Sequence, residues 1–278
     1  MIFDGLKKFT VFQNLPEFDT LKRNLYIDEA KFTDDECMDL DWFDFSLYLK
    51  IFRQFSWLQW IVFSLLSNAF LCVFSIGLYQ FIEKTCRKEQ LQEQSHPVTR
   101  SDFSLCLLTI FCNSLVMLLG VFLWKANWII LDQNPSTGSA VLETIALILL
   151  MDLLMYFFHY AAHLPFVYKI LHGKHHEHIS TNFLSLFVLH PFETIGFGFM
   201  ILALLMSYDF SVMSITFYLL INLIWGTIGH LNREFFPASF DNFFIGTTRF
   251  HNQHHLYENK NFGFYTSIWD RLFGTYRA

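Results

Sequence analysis

AVLETIALILLMDLLMYFFHYAAH, residues 140–163, decides how this chain folds. From Ala140 to Phe158 it is apolar over about the 20 residues that a bilayer-spanning helix needs, and it runs out onto two histidines, His159 and His163. Outward from it, Trp57 to Ile82 and Phe103 to Trp124 meet the same requirement. Two further runs, Phe183 to Ser207 and Phe210 to Gly229, are separated only by Tyr208 and Asp209. Such a short link predicts a tight antiparallel hairpin whose ends return to one side. The expected fold is an all-α integral membrane protein with about five membrane-inserted helices, three spans plus a tight helical hairpin, capped by a cytoplasmic His-rich helical region.

Composition agrees with lipid as the solvent. Of 278 residues, 53% are hydrophobic and 16% charged, and the 35 Phe, 11 Tyr and 7 Trp exceed what one compact soluble core buries. A net charge of −6 without a basic tract excludes a nucleic-acid binder, which needs concentrated Lys and Arg. Cys37, Cys72, Cys86, Cys106 and Cys112 form no CxxC pair and imply no disulfide framework. The first 30 residues lack an apolar core of signal-peptide length, so no cleaved leader is expected.

Three regions follow: an amphipathic surface segment over 1–56, the first transmembrane helices over 57–139, and a histidine-bearing domain over 140–278. The link 83–102 carries Lys84, Arg87, Lys88 and Arg100, whereas only Lys125 follows Trp124. The positive-inside rule therefore puts 83–102 in the cytoplasm. Asn134, Pro135 and Gly138 mark a turn on the opposite side, and the ends of the histidine-bearing runs return to the cytoplasmic one.

Eleven of the 12 histidines lie between residues 159 and 255. They group as His159 with His163; His172, His175 and His176; and His251, His254 and His255, with His190 and His230 between the groups. Residues three and four apart share a helix face, so HxxxH and each HxxHH are expected to aim all their imidazoles at one point. Two HxxHH copies arise by chance in about one of several thousand such chains. Ten convergent imidazoles exceed what one tetrahedral ion uses, and two metal ions are the natural reading. His190 sits inside an apolar run, where ionisable groups are functional by default, and Pro191 after it is expected to weaken the helix. His230 ends the last run and is favoured as a ligand. Asp152, two turns before His159, is expected to accept an imidazole N–H and orient it. His96, in a polar link before Pro97, reads as a solvated histidine, and His178 stands outside the ligand set. There is no HExxH, no GxSxG and no glycine-rich nucleotide loop, which disfavours zinc peptidase, serine hydrolase and nucleotide chemistry.

From Asp152 to Thr275 these pieces resemble the fatty acid hydroxylase or sterol desaturase superfamily of membrane non-haem diiron oxygenases. They are DLLMYFFHYAAH at 152–163, HGKHH at 172–176, HPFE at 190–193, GH at 229–230, FHNQHH at 250–255 and NFGFYTSIWDRLFGT at 261–275. The resemblance implies metal ligands at His159, His163, His172, His175, His176, His230, His251, His254 and His255, with His190 and Glu193 on the family's HPxE. HYAAH lacks the basic residue that often follows the first histidine in sterol-acting members, and residues 1–100 match no recognised part of the family. The implied activity is O2-dependent hydroxylation of an unactivated C–H bond in a membrane lipid by two iron ions, with Asp152 and Glu193 orienting ligands. Zinc is a ready substitute in purified protein. The implied partners are the lipid, O2 and a separate electron donor, a reductase with cytochrome b5 or ferredoxin. The implied place is the endoplasmic reticulum in a eukaryote or the inner membrane in a bacterium. Desaturation is the close variant, and a metal-binding or metal-transport protein is the alternative from another class.

Overall fold

The long apolar runs become helices, and polar residues at their heads decide where each starts. The computed structural model describes residues 45–277 apart from 87 and 89. Most of the segment 1–56, with Cys37, lies outside the described residues; its described part contains α1 (Phe45–Gln54). α2 (Trp57–Thr85) opens on a capping box in which Ser56 Oγ accepts the Gln59 N–H at 3.3 Å and Gln59 Oε1 accepts the Ser56 N–H at 2.8 Å. Thr99 and Asp102 repeat the device at the head of α3 (Arg100–Lys125), and Ser136 caps α4 (Thr137–Ala162).

The run Phe183 to Ser207 is not one helix. A loop with a 3-10 turn, Ser185–Phe187, comes first, and α5 (Pro191–Ser207) starts at its proline. Proline has no N–H to give to a preceding turn, which suits it to the first helical position. Pro191 thus begins a helix instead of weakening one. After the short link comes α6 (Val212–Gly229), capped by Ser211. By length and composition α2, α3, α4 and α6 can cross a membrane, and α5 is a shorter apolar helix beside them. Among the described residues only isolated β-bridges occur, and no strand.

Residues Phe45–Ala278 form one compact unit in which α2 packs on α3, α3 on α5 and α4 on α6. Leu66, Phe70, Leu107 and Leu142 keep 66%, 67%, 67% and 70% of their surface exposed, which marks them as facing lipid. Polar side chains turn inward. Ser75 and Thr227 hydroxyls bond at 2.7 Å between α2 and α6, and Thr109 donates to the Phe187 carbonyl at 2.9 Å. Between lipid-solvated helices such bonds and close packing replace the hydrophobic drive. Gly198 allows close approach of α5 to α3, because a Cβ there would lie 2.5 Å from Val116.

Alternate helix directions sort the ends. At one, Arg53 donates to Asn127 at 2.7 Å and Glu143 accepts the Ser211 N–H at 2.8 Å. At the other, where α2, α4 and α6 finish and α3 and α5 begin, Glu83 accepts the Asn232 N–H at 2.8 Å and the histidines gather. A helical run from Pro165–Val167 through a π-helical turn, Tyr168–His172, to Gly173–His176 carries the first HxxHH box, and α7 (Thr248–Leu256) carries the second. α8 (Ile268–Phe273) closes the chain against α4.

Candidate metal centre

Nine of the ten expected histidines converge, in two groups: His159, His163, His172, His176 and His254 in one, and His175, His230, His251 and His255 in the other. Within each group the ligand-capable atoms lie within 4.8 Å of one another. Neither HxxHH box aims at a single point, and helix geometry explains the split. Positions i and i+4 differ by about 40° around the axis, whereas i+3 and i+4 differ by about 100°. The pairs His172/His176 and His251/His255 therefore each serve one group, while the i+3 residues, His175 and His254, cross to the other. Each box straddles both groups.

The ring protons show what these groups are made for. Nδ1 of His159 donates to the Phe262 carbonyl at 3.0 Å, His175 to Val188 at 3.2 Å, His230 to Gly226 at 2.8 Å and His254 to Lys260 at 2.6 Å. Nδ1 of His172 donates to the Glu193 carboxylate. Carbonyl oxygens only accept, so the four rings paired with them carry the proton on Nδ1 and a bare lone pair on Nε2, and His172 does the same opposite an ionised Glu193. Yet the Nε2 atoms face one another: His159 to His172 at 3.0 Å, His172 to His176 at 3.1 Å and His254 to His176 at 3.0 Å. In the second group His251 Nε2 lies 3.2 Å from both His230 Nε2 and His255 Nε2. Converging lone pairs repel unless a cation accepts them. Two nitrogens bound at right angles to one ion, with bonds of about 2.1 Å, stand about 3.0 Å apart. The donor set fits two nitrogen-ligated transition-metal ions, and the Nε2 of His163, buried without a hydrogen-bond partner, completes the first group.

Burial keeps the rings ready to bind. Loss of water pushes His163 down to about 2, His176 to about 3 and His230 to about 4 from an ordinary 6.5. His172, His175, His251, His254 and His255 also fall well below that value, through burial first and then repulsion from neighbouring imidazoles.

The remaining expected site residues do different work. His190 stands outside both groups as the N-cap of α5, its Nδ1 accepting the Phe192 N–H at 3.3 Å and its ring stacked on Phe192. It sits at the mouth of a helix, where its ring serves the backbone. Glu193 is buried and also accepts the His190 N–H at 3.1 Å, so one carboxylate links the helix start to His172. Asp152 does not accept from an imidazole. Its Oδ1 takes the N–H groups of Phe264 at 3.0 Å and Tyr265 at 2.7 Å, and its Oδ2 takes the Thr266 hydroxyl. It fixes the stretch whose Phe262 carbonyl holds His159, so its effect on the site passes through the backbone. His178 and His96, set aside in the sequence, come together with Asp102 in a third group. The clue lay in position rather than motif, since both flank segments that converge on the histidine end. Next to the first group a cleft of about 530 Å³ is lined by Tyr160, His163, Leu164, Pro165, Tyr168 and Phe262, among others, and reaches a ring of the site.

A helical bundle with membrane-length apolar spans and nine imidazoles converging on two points is a frame that could hold metal ions. Residues 144–275 match the family described as Fatty acid hydroxylase. The Delta(7)-sterol 5(6)-desaturase of Candida albicans is 30% identical over 240 residues, covering 84% of this chain and 57% of its own length. That of Leptosphaeria maculans is 30% identical over 147 residues, 52% of this chain and 40% of its own. The Lathosterol oxidase of Homo sapiens is 32% identical over 143 residues, 49% and 46% respectively. No solved structure matches. This chain belongs to the fatty acid hydroxylase/sterol desaturase superfamily. It spans about half the length of these curated relatives. The Candida match takes in part of residues 1–100, where the sequence alone offered no likeness.

Proposed function

We propose that this chain is a membrane oxidoreductase that uses two iron ions and O2 to oxidise an unactivated C–H bond of a lipid. The observation behind it is the convergence of bare imidazole nitrogens on two adjacent points. His159, His163, His172, His176 and His254 would hold one ion, and His175, His230, His251 and His255 the other. The irons, when bound and reduced, supply the O2-activating chemistry that no side chain can.

The protein's own tasks are positional. Glu193 and the carbonyls of Phe262, Val188, Gly226 and Lys260 hold the ring protons on Nδ1, which keeps Nε2 free. The cleft at His163, with Leu164, Pro165 and Phe262 in its wall, admits an apolar chain beside the first group. Residues 57–139 serve as membrane scaffold for the catalytic part over 140–278. The site faces the cytoplasm, where a separate donor, a reductase with cytochrome b5 or ferredoxin, delivers electrons.

Hydroxylation and desaturation both begin by removing a hydrogen from carbon. The superfamily resemblance implies hydroxylation first, with desaturation as its close variant; the names of the relatives, two of them Delta(7)-sterol 5(6)-desaturases, favour desaturation of a sterol-like lipid. Membranes with and without the protein, incubated with isotopically labelled O2 and profiled by lipid mass, separate the two. A lipid gaining labelled oxygen indicates hydroxylation, and one losing a pair of hydrogens indicates desaturation. Unchanged lipids with a competent donor present would defeat both. Metal transport asks for ligands along the bundle at mid-depth, whereas both groups here lie at one end of it.

A further inference from the structure

Outside the two groups, three side chains from separate stretches meet at the same end of the bundle. His96 comes from the α2–α3 link, Asp102 from the first turn of α3 and His178 from just beyond the first HxxHH box. Asp102 and His178 are fully buried. Each has one polar atom already engaged: Asp102 Oδ2 accepts the Thr99 N–H at 2.8 Å, and His178 Nδ1 meets Ser185 Oγ at 2.8 Å. The other atom of each, Asp102 Oδ1 and His178 Nε2, makes no well-aligned hydrogen bond; the two face each other at 3.4 Å, a loose ion-pair contact when the ring is protonated. His96, half-buried, stacks its ring on His178 with centroids 4.2 Å apart, and the donor atoms of all three lie within 4.8 Å.

Buried polar atoms are almost always well paired, and so long and misaligned a contact, with a third donor from His96 beside it, leaves room for an ion that all three could share. Two donors on a tetrahedral ion with bonds of about 2.1 Å stand about 3.4 Å apart. Two imidazoles and a carboxylate form a donor set for a divalent transition metal, with a position left for water. Backbone bonds already pin the surroundings: the His96 N–H donates to the Ser180 carbonyl and Asn182 Nδ2 to the His96 carbonyl, both at 2.9 Å.

We infer that His96, Asp102 and His178 form a third metal site, separate from the paired centre, that takes one divalent ion of the zinc type. The ion clips the α2–α3 link to the segment 177–190, which carries the Val188 carbonyl that holds His175. Its role is structural.

The test counts metal. Full-length protein purified in detergent is equilibrated with excess Zn²⁺, desalted and assayed for total iron and zinc per chain. Three ions are expected in the wild type, one for each group. Asp102→Asn, which keeps an oxygen for the Thr99 cap, and His96→Ala, at the least buried position, should each lose one ion and keep the other two. His175→Ala should lose metal from the paired centre while the third ion stays. A wild type saturating at two ions, or an unchanged count in both Asp102→Asn and His96→Ala, overturns the site. Should the paired centre itself bind nothing, the wild type would hold one ion and Asp102→Asn none, so the two readings fail separately.

Discussion

Replacing Glu193 with Gln changes one oxygen for an NH2 in a buried position where both oxygens have donors to receive. Oε1 takes the proton of His172 Nδ1, and Oε2 takes the His190 N–H at 3.1 Å. An amide cannot satisfy both. A backbone N–H has no alternative state, whereas an imidazole can move its proton, so the amide oxygen should turn to His190 and the NH2 to His172. His172 Nδ1 then accepts, its proton shifts to Nε2, and the atom that faces His159 and His176 loses its lone pair. Removing a partner that sets a ligand's tautomer typically costs 10- to 100-fold in metal affinity, about 1.4–2.7 kcal/mol. The loss should fall on the five-histidine group and spare the four-histidine one. Titration of the iron-loaded protein with a chelator should show one ion released at about 10- to 100-fold lower chelator and the other at the wild-type position. Superimposable release curves, in a variant that elutes and unfolds like the wild type, would refute the reasoning.

Other outcomes follow from the same geometry. His190→Ala should keep full metal content and cost about 1 kcal/mol in thermal unfolding, as loss of an N-cap does; a missing ion would restore it as a ligand. Asp152→Asn keeps an oxygen for the backbone N–H groups and should stay within about 1.5 kcal/mol of the wild type with turnover retained, whereas Asp152→Ala strands several buried donors and should cost about 3 kcal/mol or more by thermal melting. Turnover abolished in a stable Asp152→Asn would point to a direct chemical role. Acid should act on the metal-free fold in a defined window. His163, His176 and His230 titrate lower in the folded chain than the 6.5 of the unfolded one, so between those values the unfolded state binds more protons and stability falls as pH drops. Chemical denaturation at a series of pH values should show that decline beginning near 6.5 and continuing towards 4, and a flat profile would contradict it.

The bundle was legible because length and apolarity alone decide what can cross a bilayer, and the three long spans lie within a few residues of their expected limits. The proline of the fourth run was misread: from composition, Phe183 to Phe187 looks like the same apolar stretch as α5, and only the loop conformation separates them. Eight of the nine converging histidines could be named from spacing and His230 from its place at the end of the last apolar run, but their division could not. It turns on the angle between i+3 and i+4, and on which neighbours the i+3 ring meets, which is tertiary information. The partners of the ring protons were hidden for another reason, since a carbonyl acceptor leaves no mark in side-chain identity. Asp152 was placed correctly on the helix yet assigned the wrong partner, because Phe264 and Tyr265 lie more than a hundred residues downstream. His96 and His178 belong to no box, and nothing in the sequence marks Asp102 as their neighbour.

Four of the five ring protons described above end on main-chain oxygens, those of Val188, Gly226, Lys260 and Phe262. A point substitution exchanges a side chain and leaves the carbonyl where it was. These supports therefore tolerate drift in residue identity that a carboxylate or amide partner would not survive, and Glu193 is the exposed flank in that respect. Their weakness is register. Deleting one residue between Leu256 and Lys260 would carry the carbonyl away from His254 without touching any histidine, so such a lineage could keep every box intact and still lose its centre.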